Sequence, residues 1–208
     1  MTKKKTNFDK EINILTDRYV TLDELMSVPA GVSVELDLGC GSGDFSLGLA
    51  KKYPERLVFA ADIQLNRIRK TASRCERAGL TNVRYFRVEA RYFLTVVLPD
   101  SALDRIHIIC PDPWPKNRHR SHRLIASDFT AQICRVLKPD GVLHFATDDP
   151  DYRVNAEKIL QESGLLVRAD DDRVADVSEI KTEFERQWLA SGKTVFHTAW
   201  IRNNNIQR

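Results

Sequence analysis

The segment Pro111–Lys116, with the sequence P-D-P-W-P-K, combines side chains that suit chemistry on a nucleobase. Asp112 stands between two prolines, whose restricted φ angles stiffen the backbone and so fix the direction of the carboxylate. Trp114 offers a flat face on which a base can stack. We therefore expect Asp112 to act directly on a bound base.

A run of positive charge follows at once, because residues 116–123 contain four Lys or Arg and two His side chains. The four cations are Lys116, Arg118, Arg120 and Arg123. A basic loop at the end of a strand is suited to gripping phosphate, whereas a solvated loop is the alternative. The sequence thus predicts contacts between this loop and the phosphates of a nucleic acid.

Carboxylates stand at or near the carboxyl ends of five predicted strands. These residues are Asp37, Asp62, Glu89, Asp112 and Asp148. In open α/β sheets the carboxyl ends of the strands carry the ligand crevice. The repetition therefore favours a binding role for these acids over solvated surface positions.

The first of these strands runs into a turn with glycine at every second position, Gly39, Gly41 and Gly43. A strand, a glycine turn and a helix form a nucleotide site, because a ligand lies against bare backbone and the turn requires positive φ. The dinucleotide fingerprint G-x-G-x-x-G fails, since it needs glycine at Asp44 or Ser46, and no P-loop G-K-[ST] is present. The remaining pattern, acid-x-G-x-G-x-G, resembles the first motif of class I S-adenosylmethionine-dependent methyltransferases.

This resemblance suggests which groups three of the acids bind. Asp62 is expected to accept hydrogen bonds from ribose hydroxyls, with an N-cap for the following helix as the alternative. Glu89 accepts from the adenine amino group or is a plain surface acid. Asp37 orders the glycine turn or meets the ammonium group of the cofactor.

The elements that position these residues alternate between strands and helices, which indicates an α/β fold with a parallel, doubly wound sheet. The last two predicted strands, 165–168 and 194–202, are expected to form an antiparallel pair at one edge. Residues 1–20 are expected to be a flexible basic segment, whose Lys3–Lys5 either contact phosphate or are solvated. Residues 21–208 are expected to form a single domain.

Further motifs, taken with P-D-P-W-P-K and its basic loop, resemble those of the bacterial tRNA (guanine-N7-)-methyltransferases. They are a K-P-x-G turn at 138–141, a T-D pair at 147–148 and a T-x-F-E motif at 182–185. The resemblance covers about residues 34–202. It implies a Rossmann-like, mostly parallel sheet of seven strands, with helices on both faces and an antiparallel edge strand.

The resemblance also implies an activity, the transfer of a methyl group from S-adenosyl-L-methionine to N7 of a guanine in the variable loop of tRNA. The residues implied to hold the cofactor are Asp37, Gly39, Gly41, Gly43, Asp62, Glu89 and Asp112. Asp112 is also the implied catalytic acid. The residues implied to contact the guanosine substrate are Lys116, Asp148, Thr182 and Glu185.

Two other activities stay open on the sequence. A D-P-P-W-like motif serves methylation of adenine or cytosine amino groups, but here the acid lies between the prolines, in the order P-D-P-W. A small-molecule methyltransferase or a non-catalytic cofactor-binding module is the other possibility. The basic loop at 116–123 argues against both.

The amino-acid composition indicates which partners and which cellular compartment to expect. The net charge of +3 is small, so nucleic-acid binding has to rest on a local patch. The four cysteines lie far apart without a C-x-x-C pair, which favours reduced thiols in a cytoplasmic protein and argues against a metal. No apolar run approaches the ~20 residues of a membrane span. The oligomeric state, monomer or homodimer, is left open.

Overall fold

A computed structural model of the chain describes residues 11–16 and 19–204. The lysine run at Lys3–Lys5 lies outside the described residues. The chain forms two compact units, Met1–Leu98 and Pro99–Arg208. Each unit carries part of the predicted site.

The first unit is built on a parallel sheet. Its strands are β1 (Ile12–Ile14), β2 (Val34–Leu38), β3 (Leu57–Asp62) and β4 (Val83–Arg87), in the spatial order β1-β4-β3-β2. Its helices are α1 (Leu22–Leu25), α2 (Asp44–Lys52), α3 (Leu65–Arg77) and α4 (Ala90–Tyr92), followed by a π-helical segment (Phe93–Val97). Every residue of β2 and β3 is buried, as expected for parallel strands covered on both faces.

Strand β1 lies in the segment that was expected to be a flexible tail. It pairs in parallel with β4, with Ile12 opposite Tyr85 and Ile14 opposite Arg87. Ile12 is buried, and so is Leu15 just beyond the strand. These apolar side chains pack against the sheet and so stabilise the short strand. The residues around them are mostly polar, and for this reason the strand was not predicted from the sequence.

The second unit combines parallel and antiparallel pairing. Its strands are β5 (Leu103–Ile109), β6 (Leu137–Thr147), β7 (Leu166–Ala169) and β8 (Phe196–Arg202), in the order β5-β6-β8-β7. β5 is parallel to β6, and β8 is antiparallel to both β6 and β7. Its helices are a 3₁₀ segment (Asn117–His122), α5 (Ser127–Val136), α6 (Pro150–Glu162), α7 (Asp172–Ser178) and α8 (Glu183–Ala190).

These strands confirm the predicted α/β class and the antiparallel pair formed by the last two strands. The described residues contain eight strands where seven were expected, and β1 is the additional one. The predicted turn at 138–141 lies inside β6 as an irregularity, because Leu103 pairs with Leu137 whereas Arg105 pairs with Val142. A Cβ at Gly141 would lie 2.9 Å from the carbonyl oxygen of Lys138, so this bulge requires glycine.

Candidate active site

The glycine turn between β2 and α2 has the geometry of a ligand cradle. Its glycines all have positive φ, +82° at Gly39, +56° at Gly41 and +78° at Gly43. An added Cβ would meet nothing within 4 Å at Gly39, and at Gly41 only the carbonyl oxygen of Gly39 at 4.0 Å. At Gly43 it would lie 2.4 Å from Cγ2 of Thr71 on α3. The first two glycines therefore leave room for a ligand, and the third lets two helices approach closely.

The carboxylate of Asp62, at the end of β3, ties this turn to the start of α3. Its Oδ2 accepts a hydrogen bond from the Gly41 amide at 3.1 Å, and its Oδ1 accepts one from the Gln64 amide at 2.7 Å. Arg67 Nη1 lies 3.6 Å from Oδ2. The N-cap of α3 is Gln64, so Asp62 holds the residue that precedes the helix and is not itself the N-cap. A carboxylate offers about four acceptor sites, so the ribose contact stays a prediction alongside these contacts.

The other two acids of this unit also have partners within the chain. Asp37 is buried, and its Oδ2 accepts a hydrogen bond from the Ser46 hydroxyl on α2 at 2.5 Å. Glu89 is exposed and caps α4, where it accepts from the amides of Arg91 at 3.0 Å and Tyr92 at 2.8 Å. Asp37 thus connects β2 to α2, and its contact with the ammonium group of the cofactor stays a prediction. The capping role of Glu89 was not foreseen, because α4 was not predicted.

The second unit holds a cavity of about 710 Å³ at the carboxyl ends of β5 and β6. It is lined by residues 110–113 and 148–150 and by side chains of α8 and of the segment after it. Asp112 and Asp148, predicted from separate motifs, thus share one cavity. Lys193 Nζ lies 3.2 Å from Asp148 Oδ2 and forms an ion pair with it, and the Asp148 side chain is 14% exposed.

An aromatic pair on α8 forms one side of this cavity. The rings of Phe184 and Trp188 stack with centroids 5.8 Å apart and planes 28° apart, and Phe184 is 54% exposed. The predicted stacking residue, Trp114, instead packs against His119 and His122, with centroids 5.8 and 5.0 Å away. Phe184 and Trp188 lie four residues apart, which places both rings on one face of a helix. The pair was not predicted from the sequence.

The loop that carries Asp112 is constrained by more than its prolines. Cys110 and Trp114 have φ of +50° and +43°, a left-handed backbone conformation that residues other than glycine rarely adopt. Burial, followed by the negative charges of Glu185 and Asp148, raises the pKa of the Cys110 thiol, which therefore stays protonated at neutral pH. Two strained positions on either side of Asp112 hold its carboxylate at the cavity.

Arg123 requires a correction, because it does not contact solvent. Its guanidinium is 1% exposed and donates to the Pro113 carbonyl at 2.8 Å, to Asp151 at 2.7 Å and to Asn155 at 3.2 Å. It also lies over the Tyr152 ring, 4.8 Å from the centroid. Arg123 thus fastens the P-D-P-W loop to α6, and the phosphate contact predicted for it is wrong.

The phosphate contacts of the other cations in the basic loop stay predictions. Lys116 and Arg118 are exposed and can reach a phosphate. The side chain of Arg120 lies outside the described residues. The loop folds as a short 3₁₀ segment, Asn117–His122, which includes positions 118 and 120 and directly follows Lys116.

The contrast between Arg123 and Arg118 gives a matched pair of variants. We expect Arg123→Ala to lower the free energy of unfolding by about 2–4 kcal/mol, because three hydrogen bonds to a buried guanidinium are lost. Arg118→Ala should change it by less than about 0.5 kcal/mol. Urea unfolding of both variants measures this difference. If Arg118→Ala were the more destabilising change, the assignment of the two arginines would be reversed.

Arg118→Ala should instead weaken tRNA binding and flatten its salt dependence by about one unit of slope. Titrations at several salt concentrations measure this effect. An unchanged slope would return the exposed part of the loop to the solvated alternative.

The T-x-F-E motif forms the start of α8 as a capping box. The Glu185 amide donates to the Thr182 hydroxyl at 3.1 Å, and Oε2 of Glu185 accepts from the Thr182 amide at 2.7 Å. The Glu185 side chain is fully buried. The Glu185 carboxylate closes this cap, and the substrate contact implied for it stays a prediction. Thr182 stays a predicted contact at the edge of α8.

Three buried or half-buried histidines beside Glu185 were missed. His107 on β5, His144 on β6 and His197 on β8 lie in contact with one another across the sheet of the second unit. Burial, followed by the neighbouring histidines, holds the pKa of His144 well below its ordinary value, so its ring is neutral. In the sequence, two neighbouring strands each carry a single polar residue within an apolar run, and this pattern could have indicated buried polar side chains.

Two features are absent from the part of the chain that the structure describes. No helix there is long and apolar enough to cross a membrane. No group of three or more His, Cys, Asp or Glu side chains in that part is arranged to hold a metal ion.

The parallel strands, the glycine cradle and the antiparallel β8 define a class I S-adenosylmethionine-dependent methyltransferase. Solved structures of this class share the fold. The 16S rRNA methyltransferase KamB matches with a TM-score of 0.64 at 17% identity, covering 88% of this chain and 94% of its own. A 16S rRNA (adenine(1408)-N(1))-methyltransferase from Catenulisporales acidiphilia, solved with its cosubstrate, matches with a TM-score of 0.59 at 19% identity over 85% and 88% of the two chains.

The chain belongs to the tRNA (guanine-N7-)-methyltransferase family. Residues 32–198 match the family model described as "Putative methyltransferase". A tRNA (guanine-N(7)-)-methyltransferase from Syntrophotalea carbinolica is 46% identical over 81% of this chain and 73% of its own length. The one from Nitrosomonas europaea is 34% identical over 87% and 80%. The cofactor of this class is S-adenosyl-L-methionine, and the open space beside Gly39 and Gly41 lets a ligand approach the backbone of the turn.

Proposed function

We propose that the protein transfers a methyl group from S-adenosyl-L-methionine to N7 of a guanine in tRNA, in the variable loop by resemblance to its family. The observation that carries this proposal is the cavity of the second unit, where Asp112 and Asp148 face the same space beside a stacked aromatic pair. The relatives are named as enzymes that methylate N7 of guanine in tRNA, and this supports the choice of the acceptor atom and of the nucleic acid.

The chemistry requires little of the protein besides alignment and charge. Guanine N7 has an in-plane lone pair and carries no hydrogen, so no general base has to remove a proton before it attacks. The bound cofactor supplies an electrophilic methyl group on a sulfonium. The protein has to orient the base and stabilise the positive charge that appears on the purine.

Asp112 and Asp148 are suited to both tasks. Either carboxylate can accept hydrogen bonds from the N1–H and the exocyclic amino group of guanine, which lie on the edge of the base opposite N7. Their negative charge favours a purine that becomes cationic. Asp112 is the stronger candidate, because its loop is the more constrained and because Lys193 already pairs with Asp148.

The aromatic pair gives the base a stacking surface. Phe184 and Trp188 line the cavity with their rings nearly parallel, and a base stacked on an aromatic ring gains about 1–3 kcal/mol. A base bound in a cavity has to be exposed or drawn out of its own stack, which a loop of a folded RNA allows. Lys116, Arg118 and Arg120 would then contact the phosphates around it.

Two features of the setting follow from this function. We expect the enzyme to work in the cytoplasm, where a tRNA substrate would be available. A methyltransferase for small molecules would have no use for the exposed cations at Lys116 and Arg118, so that alternative is not favoured.

Nucleoside mass spectrometry tests the proposal. Unmodified tRNA is incubated with the protein and cofactor carrying a labelled methyl group, then digested to nucleosides. The expected product is labelled 7-methylguanosine. Label in a methylated adenosine, cytidine or amino-methylated guanosine, or no label in tRNA at all, would contradict the proposal.

A further inference from the structure

The cavity of the second unit contains a cation that belongs to none of the sequence motifs. Lys193 follows α8 and lines this cavity, and its side chain is 54% exposed. Its Nζ lies 3.2 Å from Oδ2 of Asp148 and 5.6 Å from the centroid of the Trp188 ring. An ammonium group, a carboxylate and an aromatic surface therefore lie together in one cavity.

The end of α8 fixes the backbone position of Lys193. Gly192, just after the helix, has φ of +77°, and its amide donates to the Leu189 carbonyl at 3.0 Å. The Lys193 amide donates to the Trp188 carbonyl at 2.9 Å. These two hydrogen bonds form a Schellman motif, which satisfies the last carbonyls of a helix and ends it sharply. Lys193 is thereby tied to the helix that carries the aromatic pair.

The backbone of Asp148 is held between a strand and a helix cap. Asp148 follows Thr147, the last residue of β6, and precedes Asp149, the N-cap of α6. The Asp149 amide donates to the Thr147 hydroxyl at 3.2 Å, and the Asp149 carboxylate accepts from the Tyr152 amide at 2.7 Å. Within the described residues Asp148 Oδ2 accepts from Lys193, and Oδ1 takes part in no hydrogen bond. Oδ1 is therefore available to a substrate.

We propose that Lys193 and Asp148 together recognise the Watson–Crick edge of the target guanine, and that Lys193 thereby determines the base specificity of methylation. Guanine presents an acceptor, O6, followed by two donors, N1–H and the exocyclic amino group. Nζ of Lys193 followed by Oδ2 and Oδ1 of Asp148 presents a donor followed by two acceptors. The order of groups on the protein is thus complementary to the order on the base. This inference rests on the function proposed above.

The same two groups reject adenine. Adenine carries an amino group where guanine has O6, and an unprotonated N1 where guanine has N1–H. The ammonium of Lys193 would therefore face a donor, and the carboxylate of Asp148 would face an acceptor. A site whose polar groups are left unpaired by the wrong substrate discriminates strongly against it. Such discrimination is needed, because N7 of adenine also has an in-plane lone pair.

The charge of this pair suits the reaction. The charges of Lys193 and Asp148 cancel, so recognition of the edge adds no net positive charge beside a purine that becomes cationic. Asp112 lines the same cavity and then supplies the negative charge that favours the cation. Recognition of the base and stabilisation of its charge are thereby divided between the two carboxylates.

A tRNA with 2,6-diaminopurine at the target position isolates this recognition. The base keeps N7 and the 2-amino group of guanine, but it has an amino group in place of O6 and an unprotonated N1. We expect the wild-type protein to methylate it with a kcat/KM about 100-fold below that of the natural tRNA. Lys193→Met keeps the length of the side chain and removes the donor, and it should reduce this ratio about tenfold. The intrinsic reactivity of N7 cancels, because both proteins act on the same two bases.

Lys158→Met is the matched control, since Lys158 is an exposed lysine on α6 that does not line the cavity. This variant should keep the wild-type ratio. Similar rates of the wild-type protein on the two tRNAs would overturn the inference. So would a wild-type ratio in Lys193→Met, with the natural tRNA still methylated at N7, and the proposed function would then stand.

Two further outcomes have distinct meanings. An equal loss on both tRNAs in Lys193→Met, together with a flatter salt dependence of binding, would place Lys193 on a phosphate and overturn its role in base recognition. No methylation of the natural tRNA by the wild-type protein would contradict the proposed function itself, and the inference with it.

Discussion

Replacing Asp112 by asparagine is expected to slow methyl transfer by about 10²- to 10³-fold in single-turnover assays, with little change in tRNA affinity. The replacement keeps the shape of the side chain and removes its negative charge. If that charge favours the cationic purine, its loss raises the barrier to the chemical step more than it weakens binding. The strained backbone at Cys110 and Trp114 keeps the side chain at the cavity in both proteins.

Asp128→Asn is the matched control. Asp128 is an exposed residue in the first turn of α5 and does not line the cavity. Its replacement makes the same change in net charge and should leave the rate as it is. Single-turnover rates of Asp112→Asn within a few-fold of wild type would remove Asp112 from the chemistry and make Asp148 the principal carboxylate.

Gly41→Val is expected to abolish measurable binding of S-adenosylmethionine in calorimetry, while circular dichroism shows an intact fold. The wild-type turn leaves the space beside Gly41 open, and the valine side chain would occupy it. The backbone there has φ of +56°, so a β-branched residue also shifts the turn that Asp62 holds through the Gly41 amide.

Gly79→Val separates the two effects. Gly79 follows α3 with φ of +70° and has nothing within 4 Å of an added Cβ, so valine meets the same backbone strain away from the cradle. Its cofactor affinity should match that of wild type. Cofactor binding by Gly41→Val with wild-type affinity would show that this turn is not the cofactor site.

The strands and helices could be predicted because a pattern of neighbouring residues indicates each of them. The apolar run of β2, the glycine turn and the helix after it lie within about twenty consecutive residues, and each has a distinct composition. The capping box at the start of α1 is another local pattern, in which the Thr21 amide donates to Glu24 at 2.7 Å. Asp112 and Asp148 meet at one cavity because the carboxyl ends of parallel strands share an edge.

Burial of polar side chains was not predictable in the same way. Arg123 sits in a strongly polar run, yet its acceptors Asp151 and Asn155 lie 28 and 32 residues further on, and only the folded chain brings them together. Glu185 was expected to contact the substrate, and the structure shows in addition that it is buried and closes a helix cap. A charged residue is taken for a surface one unless its buried partners are known.

N7 of guanine is the proposed methyl acceptor, and a tRNA with 7-deazaguanine at the target position tests this most directly. This base has carbon in place of N7 but keeps the N1–H and amino donors, the ribose and the phosphates. We predict that it binds with an affinity close to that of the natural tRNA and accepts no labelled methyl group, whereas the natural product is cleaved by borohydride and aniline, as a cationic 7-methylguanine requires. Transfer of label to the deaza substrate would show that an amino group or another atom is the acceptor.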